Sequence, residues 1–296
     1  MLQIVRTVAV NTRYGGFEIP SDETALSRSL KHYGEWAQAD VDFLLRLIGE
    51  GGVAIDADAS VGAYAIPIAR RVGATGQTHA FTSAALAPML RRNVISTEVR
   101  RVSVYPATLD AQVRPADPDW SERLEADTLA LVAEADGRGG DPIFSGGRPR
   151  PREAELALNL DALGIASCDL LRLSCDRMEW RALVGGSELI ASARPYISVD
   201  CQDVGAAWTA TALLLSQGYS AWLYSWPTFN PDNFTRNHAN IFGGSVQSSI
   251  FFLPPERADG QLVMGVSALP FERISSLHGL TCAYNAAHTG AVSWRQ

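Results

Sequence analysis

The chain is short of cysteine, of basic clusters and of long apolar runs. Its four cysteines, Cys168, Cys175, Cys201 and Cys282, never fall in C-x-x-C spacing. That argues against a zinc cluster or a disulfide framework and for free thiols in a reducing, cytoplasmic setting. The five histidines and the acids supply no metal-ligand spacing, so no metal is expected. Charged residues make up only 19% and the net charge is −7. Without a dense Lys/Arg stripe, a nucleic-acid backbone is not an expected partner. The N-terminus has no basic region followed by an apolar core, so no signal peptide is expected. Ala206 to Trp226 carries no charge, but Gln217-Gly218 interrupts it and Ser and Thr dilute it. It reads as a buried helix followed by a buried strand rather than a membrane span. There is no G-x-S-x-G elbow, which argues against a serine hydrolase, and no G-x-G-x-x-G.

What remains is ample material for a core. With 296 residues, 47% of them apolar, the chain can build one large α/β domain. Met1 to Val10 is a candidate strand with a turn at Tyr14-Gly15-Gly16. A helix is expected over Ala39 to Ile48, with Phe43, Leu44, Leu47 and Ile48 on one face. Strands are expected at Val53–Asp56, Thr78–Phe81 and Val99–Tyr105, the last nearer a sheet edge. Others are expected at Asp169–Leu173, Pro195–Val199, Ala221–Tyr224 and Ser248–Leu253. Helices between them cover Ala63–Val72, where Pro67 implies a local kink, then Ala84–Asn93, Met178–Val184 and Ala206–Gln217. Asp119 to Ala135 has helix character, and the Gly, Pro and Arg-rich stretch 136–152 reads as a surface loop, either a tolerated insertion or a lid. The pattern gives a doubly wound, mostly parallel α/β sheet of seven strands, one antiparallel. The expected organisation is an N-terminal extension over 1–30, a single domain over 31–256 and a C-terminal extension over 257–296, ending in a frayed tail from Asn285.

The chain is organised around Gly51-Gly52-Val53-Ala54-Ile55-Asp56-Ala57-Asp58-Ala59-Ser60-Val61-Gly62. A short apolar strand ends in an acid, and small residues lead into a helix. In α/β folds such a junction opens a ligand site at the carboxyl end of a strand. Upstream stands Tyr33-Gly34-Glu35-Trp36, and downstream runs Phe229-Asn-Pro-Asp-Asn-Phe-Thr-Arg-Asn-His-Ala-Asn-Ile-Phe-Gly-Gly244. In order and spacing these resemble the FkbM family of S-adenosylmethionine-dependent methyltransferases, which reads Y-G-E-W, then D-x-G-A-N-x-G, then N-x-x-N-F-x-x-N-x-x-N-I-F-G. The likeness covers roughly residues 30 to 255.

The resemblance implies a Rossmann-like class I methyltransferase fold with S-adenosylmethionine as cofactor. It implies O-methylation of a hydroxyl on a sugar, glycan or small metabolite. Around the cofactor it points to Glu35, Asp56, Ala57, Asp58, Ser60, Gly62, Thr82, Thr108 and Ser174. Toward the acceptor or the chemistry it points to Asp176, Glu179 and Asp200. Several polar positions depart from the family: Asp58 stands where a glycine is expected, Thr82 where a ribose-binding Glu is expected, and Ser174 in place of a strand-end Asp. These departures also suit a catalytically inactive relative that acts as a binding or scaffolding subunit, self-associated or paired with an active partner. His32 and His238 near the motifs, and His278 and His288 in the tail, are weaker candidates.

Overall fold

The computed structural model describes residues 6–111, 156–174, 179–257 and 259–289. The expected helix at 119–135, the loop at 136–152 and Asp176 lie outside these residues.

β1 (Thr7–Thr12) and β2 (Gly15–Pro20) form an antiparallel hairpin. α1 (Ala25–Tyr33) begins at Thr24, whose side chain accepts from the Ser27 amide, and stops at Gly34 in the left-handed region. α2 (Gln38–Leu47) follows.

The main sheet has eight strands: β3 (Val53–Ala57), β4 (Gln77–Thr82), β5 (Val102–Pro106), β8 (Leu170–Leu173), β9 (Tyr196–Asp200), β10 (Ser220–Pro227), β11 (Val246–Leu253) and β12 (Phe271–Ile274). Their order is β12-β10-β11-β9-β8-β3-β4-β5. The five strands from β9 to β5 are parallel; β11 opposes β9, β10 opposes β11 and β12 opposes β10. Two strands thus run against the rest, and the eighth strand is more than the seven expected. It comes from the C-terminal extension, where Phe271-Glu272-Arg273-Ile274 is short and charged at its middle. Such a strand is weak in sequence and well suited to a sheet edge. β6 (Thr108–Leu109) and β7 (Ala157–Leu158) make a small parallel pair beside the sheet.

One face of the sheet is covered by α2, α3 (Ala65–Val72) and α4 (Ala87–Ser96). Pro67 falls in the first turn of α3, between the Ile66 amide bond to Gly62 O and the Ile68 amide bond to Tyr64 O, so it omits one rung at the start of the helix. The other face packs on α5 (Glu179–Gly185), α6 (Ser187–Ala193), α7 (Val204–Ser216) and α9 (Leu277–His288). α8 (Asp259–Gly265) joins β11 to β12. Asn285 to His288, expected to fray, form the last turn of α9. The hairpin buries Phe17 and Ile19 with Leu30, Ile66 and Met89. Asn93 on α4 stitches it down, accepting from the Glu18 amide at 2.6 Å and donating to the carbonyls of Glu18 and Val61. The chain winds β3 to β4 to β5 one way and β8 to β9 the other. The winding reverses between β3 and β8, and their carboxyl ends open the crevice where doubly wound folds bind ligands.

Candidate functional site

The turn after β3 holds an unusual backbone. Asp58 (φ 73°), Ser60 (φ 51°) and Gly62 (φ 103°) all lie in the left-handed region. Short polar side chains bear that conformation at less cost than bulky ones, so Asp58 and Ser60 can hold the left-handed turn without glycine. Pins to the sheet fix it: the Ala59 amide donates to Phe81 O at 2.7 Å, Thr82 Oγ1 donates to Ser60 O at 3.2 Å, and Asn93 holds Val61 O. At Gly62 a Cβ would lie 2.7 Å from Ile66 Cδ1 and 2.9 Å from Leu90 Cδ1. Conformation and packing both demand glycine there.

Next to this turn, the sheet face under α2 and α3 changes character along its strands. Toward the amino ends it is apolar: Ala54, Leu170, Tyr196, Phe251 and Leu253. Toward the carboxyl ends the same face carries Asp56, Arg172, Ser198, Asp200, Tyr224 and Ser249. Parallel register sets Asp56 beside Arg172, and Arg172 Nη1 donates to Asp56 Oδ1 at 3.0 Å. Arg172 Nη2 reaches Asp200 at 3.3 Å, and the guanidinium lies 3.6 Å from the centre of the Tyr64 ring. Asp200 also accepts from Ser249 Oγ at 3.3 Å and from Ser174 Oγ. Above them Asp40, in the first turn of α2, takes one phenol on each oxygen: Tyr64 at 2.7 Å and Tyr224 at 2.6 Å. Tyr224 Oη lies 3.1 Å from Ser198 Oγ.

Asp40 and Asp56 are 0% exposed and Arg172 is 5% exposed. Burial raises the Asp40 carboxyl to about 6, outweighing the two phenols and Arg172. Burial also raises Asp56, against the pull of Arg172. Burial works against the Arg172 charge as well, but Asp200 and Asp56 hold it firmly protonated. Asp56 Oδ2 and Arg172 Nε have no hydrogen-bond partner among the described residues. Two carboxylates therefore share one guanidinium whose charge also acts on Asp40, and one oxygen of Asp56 is left over.

The other expected site residues fall elsewhere. Glu35 is buried and fully engaged: Arg13 at 2.6 Å, Asn230 Nδ2 at 2.7 Å and the Phe234 amide at 2.9 Å. Tyr33 packs against Phe229 and Phe242, donates to Ala239 O and accepts from the Ile241 amide. The two motifs, Tyr33–Trp36 and Phe229–Gly244, are therefore each other's partners. Asn230, Asn233, Asn237 and Asn240 turn their Oδ1 onto the amides of Asp232, Asn237, Ala239 and Phe242. Their spacing builds the loop itself. Glu179 is buried at the start of α5, and Thr108 lies half-buried in β6. Ala57 ends β3 with its side chain in the opposite core, beside Phe81 and Leu173. His32, His238 and His278 are exposed, and His288 packs on Tyr284. No group of three or more His, Cys, Asp or Glu among the described residues is placed to hold a metal.

Asp40, Tyr64, Arg172 and Tyr224 were not expected at the site. Asp40 shares a helical face with Phe43, Leu44 and Leu47, which marks it as inward-facing. The strands Val-Ala-Ile-Asp-Ala and Leu-Leu-Arg-Leu each place one opposite charge one residue before the strand's end.

A separate cleft of about 440 Å³ opens at the amino ends of β3, β8 and β9, between Gly49–Gly52, Asp169, Tyr196 and Arg257. Within it Arg257 bonds Asp169 and Arg194 O, Tyr196 donates to Asp259, and Glu256 accepts from Arg194.

No family model matches the chain, and no curated protein matches it. Among solved structures, an S-adenosylmethionine-dependent O-methyltransferase from Thermotoga maritima is similar at 15% identity and a TM-score of 0.42, over 83% of this chain and 77% of that one. The methyltransferase FkbM from Methylobacillus flagellatus KT is similar at 12% identity and a TM-score of 0.43, over 69% of this chain and 44% of that one. A putative O-methyltransferase from Klebsiella pneumoniae stands at 14% and 0.41, over 80% and 84%. The doubly wound, Rossmann-like fold rests on the strand order and the reversal between β3 and β8, to which these distant similarities add no weight.

Proposed function

We propose that the chain is an S-adenosylmethionine-dependent methyltransferase that methylates a hydroxyl of a sugar, glycan or small metabolite. The observation that carries this reading is Asp56 Oδ2, without a hydrogen-bond partner among the described residues, beside a turn with glycine-like backbone, at the point where the sheet reverses its winding. The residues present fit the positively charged end of the cofactor. A buried carboxylate oxygen has room in its bonding, and small residues 57–62 allow close approach. The ribose end is fitted less well, because Thr82 gives its proton to Ser60 O and offers only an accepting oxygen where a carboxylate would grip two hydroxyls.

When bound, the cofactor supplies an electrophilic methyl group, and the protein's part is to hold the acceptor in line and keep water out. Asp176, Glu179 and Asp200 are the candidates for the acceptor side. Asp200 already accepts from Ser174, Ser249 and Arg172, which suits positioning better than proton abstraction.

A second reading has its own observation. Arg172 already occupies Asp56 and Asp200 with a positive charge, so an inactive relative with an internally satisfied site also fits. Thermal unfolding with S-adenosylmethionine and S-adenosylhomocysteine separates the possibilities. At a hundred times its dissociation constant either ligand adds about 2.7 kcal/mol, a rise of several degrees. A saturable rise with methyl transfer in an acceptor screen supports the enzyme. A rise without turnover favours the inactive relative, and no rise with either ligand removes the cofactor reading.

A further inference from the structure

The buried cluster has too much negative charge for the cation it contains. Asp56 and Asp200 pair with a single guanidinium whose charge also acts on Asp40, the Asp58 carboxylate acts on Asp56 from the turn, and Asp40 and Asp56 are wholly out of water. An uncompensated buried carboxylate is costly, and the ordinary remedy is a proton. The surroundings are built to take one. Facing Asp40 are Tyr64 at the head of α3, Tyr224 on β10, Arg172 on β8 and Asp200 on β9. With Asp40 ionised, both phenols donate to it. With Asp40 protonated, Tyr224 can turn its hydrogen to Ser198 Oγ, 3.1 Å away, and accept from Asp40 instead. Both protonation states therefore leave the Asp40 carboxyl and the two phenols hydrogen-bonded. Asp200, with a side chain 18% exposed, is where the cluster meets solvent.

We propose that this site trades a proton for the positive charge of its ligand: the free protein keeps one proton on the Asp40 and Asp56 carboxyls, and a cationic ligand arriving at Asp56 Oδ2 releases it. The balance is protonated protein plus cation giving the complex plus one proton. The inference rests on the methyltransferase reading and adds a pH dependence to it. Burial already lifts Asp40 to about 6 and raises Asp56 too, so the exchange belongs to mildly acidic solution.

Titration calorimetry with S-adenosylmethionine near pH 6, in phosphate and in Bis-Tris, tests it. These buffers take up protons with different heats, so the difference in binding heat counts protons released. The expected count approaches one at about pH 5.5 and falls toward zero at about pH 8. The dissociation constant should rise about ten-fold per pH unit below about 6. Adenosine, neutral in this range, should show neither effect. Asp40→Asn should flatten the slope; if that variant does not fold, the two-buffer comparison on the native chain still decides. Binding heat that is the same in both buffers overturns the exchange and leaves the methyltransferase reading standing. No binding at any pH, including about pH 8 where the carboxylates are ionised, overturns that reading and the exchange with it.

Discussion

Asp56 and Arg172 lie 116 positions apart in sequence and share one hydrogen bond in the centre of the sheet. Arg172→Leu should cost about 3–5 kcal/mol, because it strands buried carboxylates without a cation. Combining it with Asp56→Leu should recover a large part of that loss, as urea unfolding of the two single variants and the double variant would show. A double variant no more stable than Arg172→Leu alone would mean that the pair is not coupled. Gly62→Ala should cost about 2–4 kcal/mol, since it adds a close contact with Ile66 and Leu90 to a strained φ. Residue identities at the turn could be read from the sequence, but the pairing could not. Asp56 announced itself as a strand-end acid, whereas its internal cation is set by register between strands that are distant in sequence. Asp40 could be placed on the inward face of its helix, but its two phenol partners come from Tyr64 and from Tyr224 on β10, which no local pattern reveals.

At the scale of elements, the strands and helices of the domain followed from short apolar runs and glycine stops. The ends of the chain did not. β12, α8 and α9 have little periodicity, and only pairing with β10 makes a strand of Phe271–Ile274. The Asn-rich segment was legible as a motif, yet its partner was not, since nothing local says that Glu35 will hold it. Glu35→Ala should free the loop, leaving the Phe234 amide, Asn230 and Arg13 unpaired at a cost of about 2–3 kcal/mol. Because Arg236 is exposed within it, trypsin should cut the variant there faster than the native chain. Equal cutting rates would show that the clasp does not order the segment.

For the molecule as a whole, buried groups pull stability in opposite directions with pH, Asp40 and Asp56 one way and His79 the other. Asp40, raised to about 6 from an unfolded value near 3.8, favours the folded state below about 4, and that advantage is lost as pH rises through about 6. His79 is lowered to about 4 by burial against Tyr105, so its contribution is present above about 6.5 and lost as pH falls toward 4. The native chain should therefore show a flattened profile between about pH 4 and 6. Asp40→Asn should become steeply less stable as pH falls, and His79→Gln steeply more stable. Parallel profiles for the native chain and both variants would exclude these two groups as the source. β12, meanwhile, is the last strand among the described residues and covers the β10 edge of the sheet. Without it, the β10 edge bearing Trp222 and Tyr224 stands open, with unpaired amides and carbonyls flanked by aromatic rings. A chain halted before Phe271 offers its neighbours a sticky border. The finished chain replaces that border with Glu272 and Arg273, both exposed. β12 thus covers an edge that would otherwise present open backbone groups to neighbouring chains.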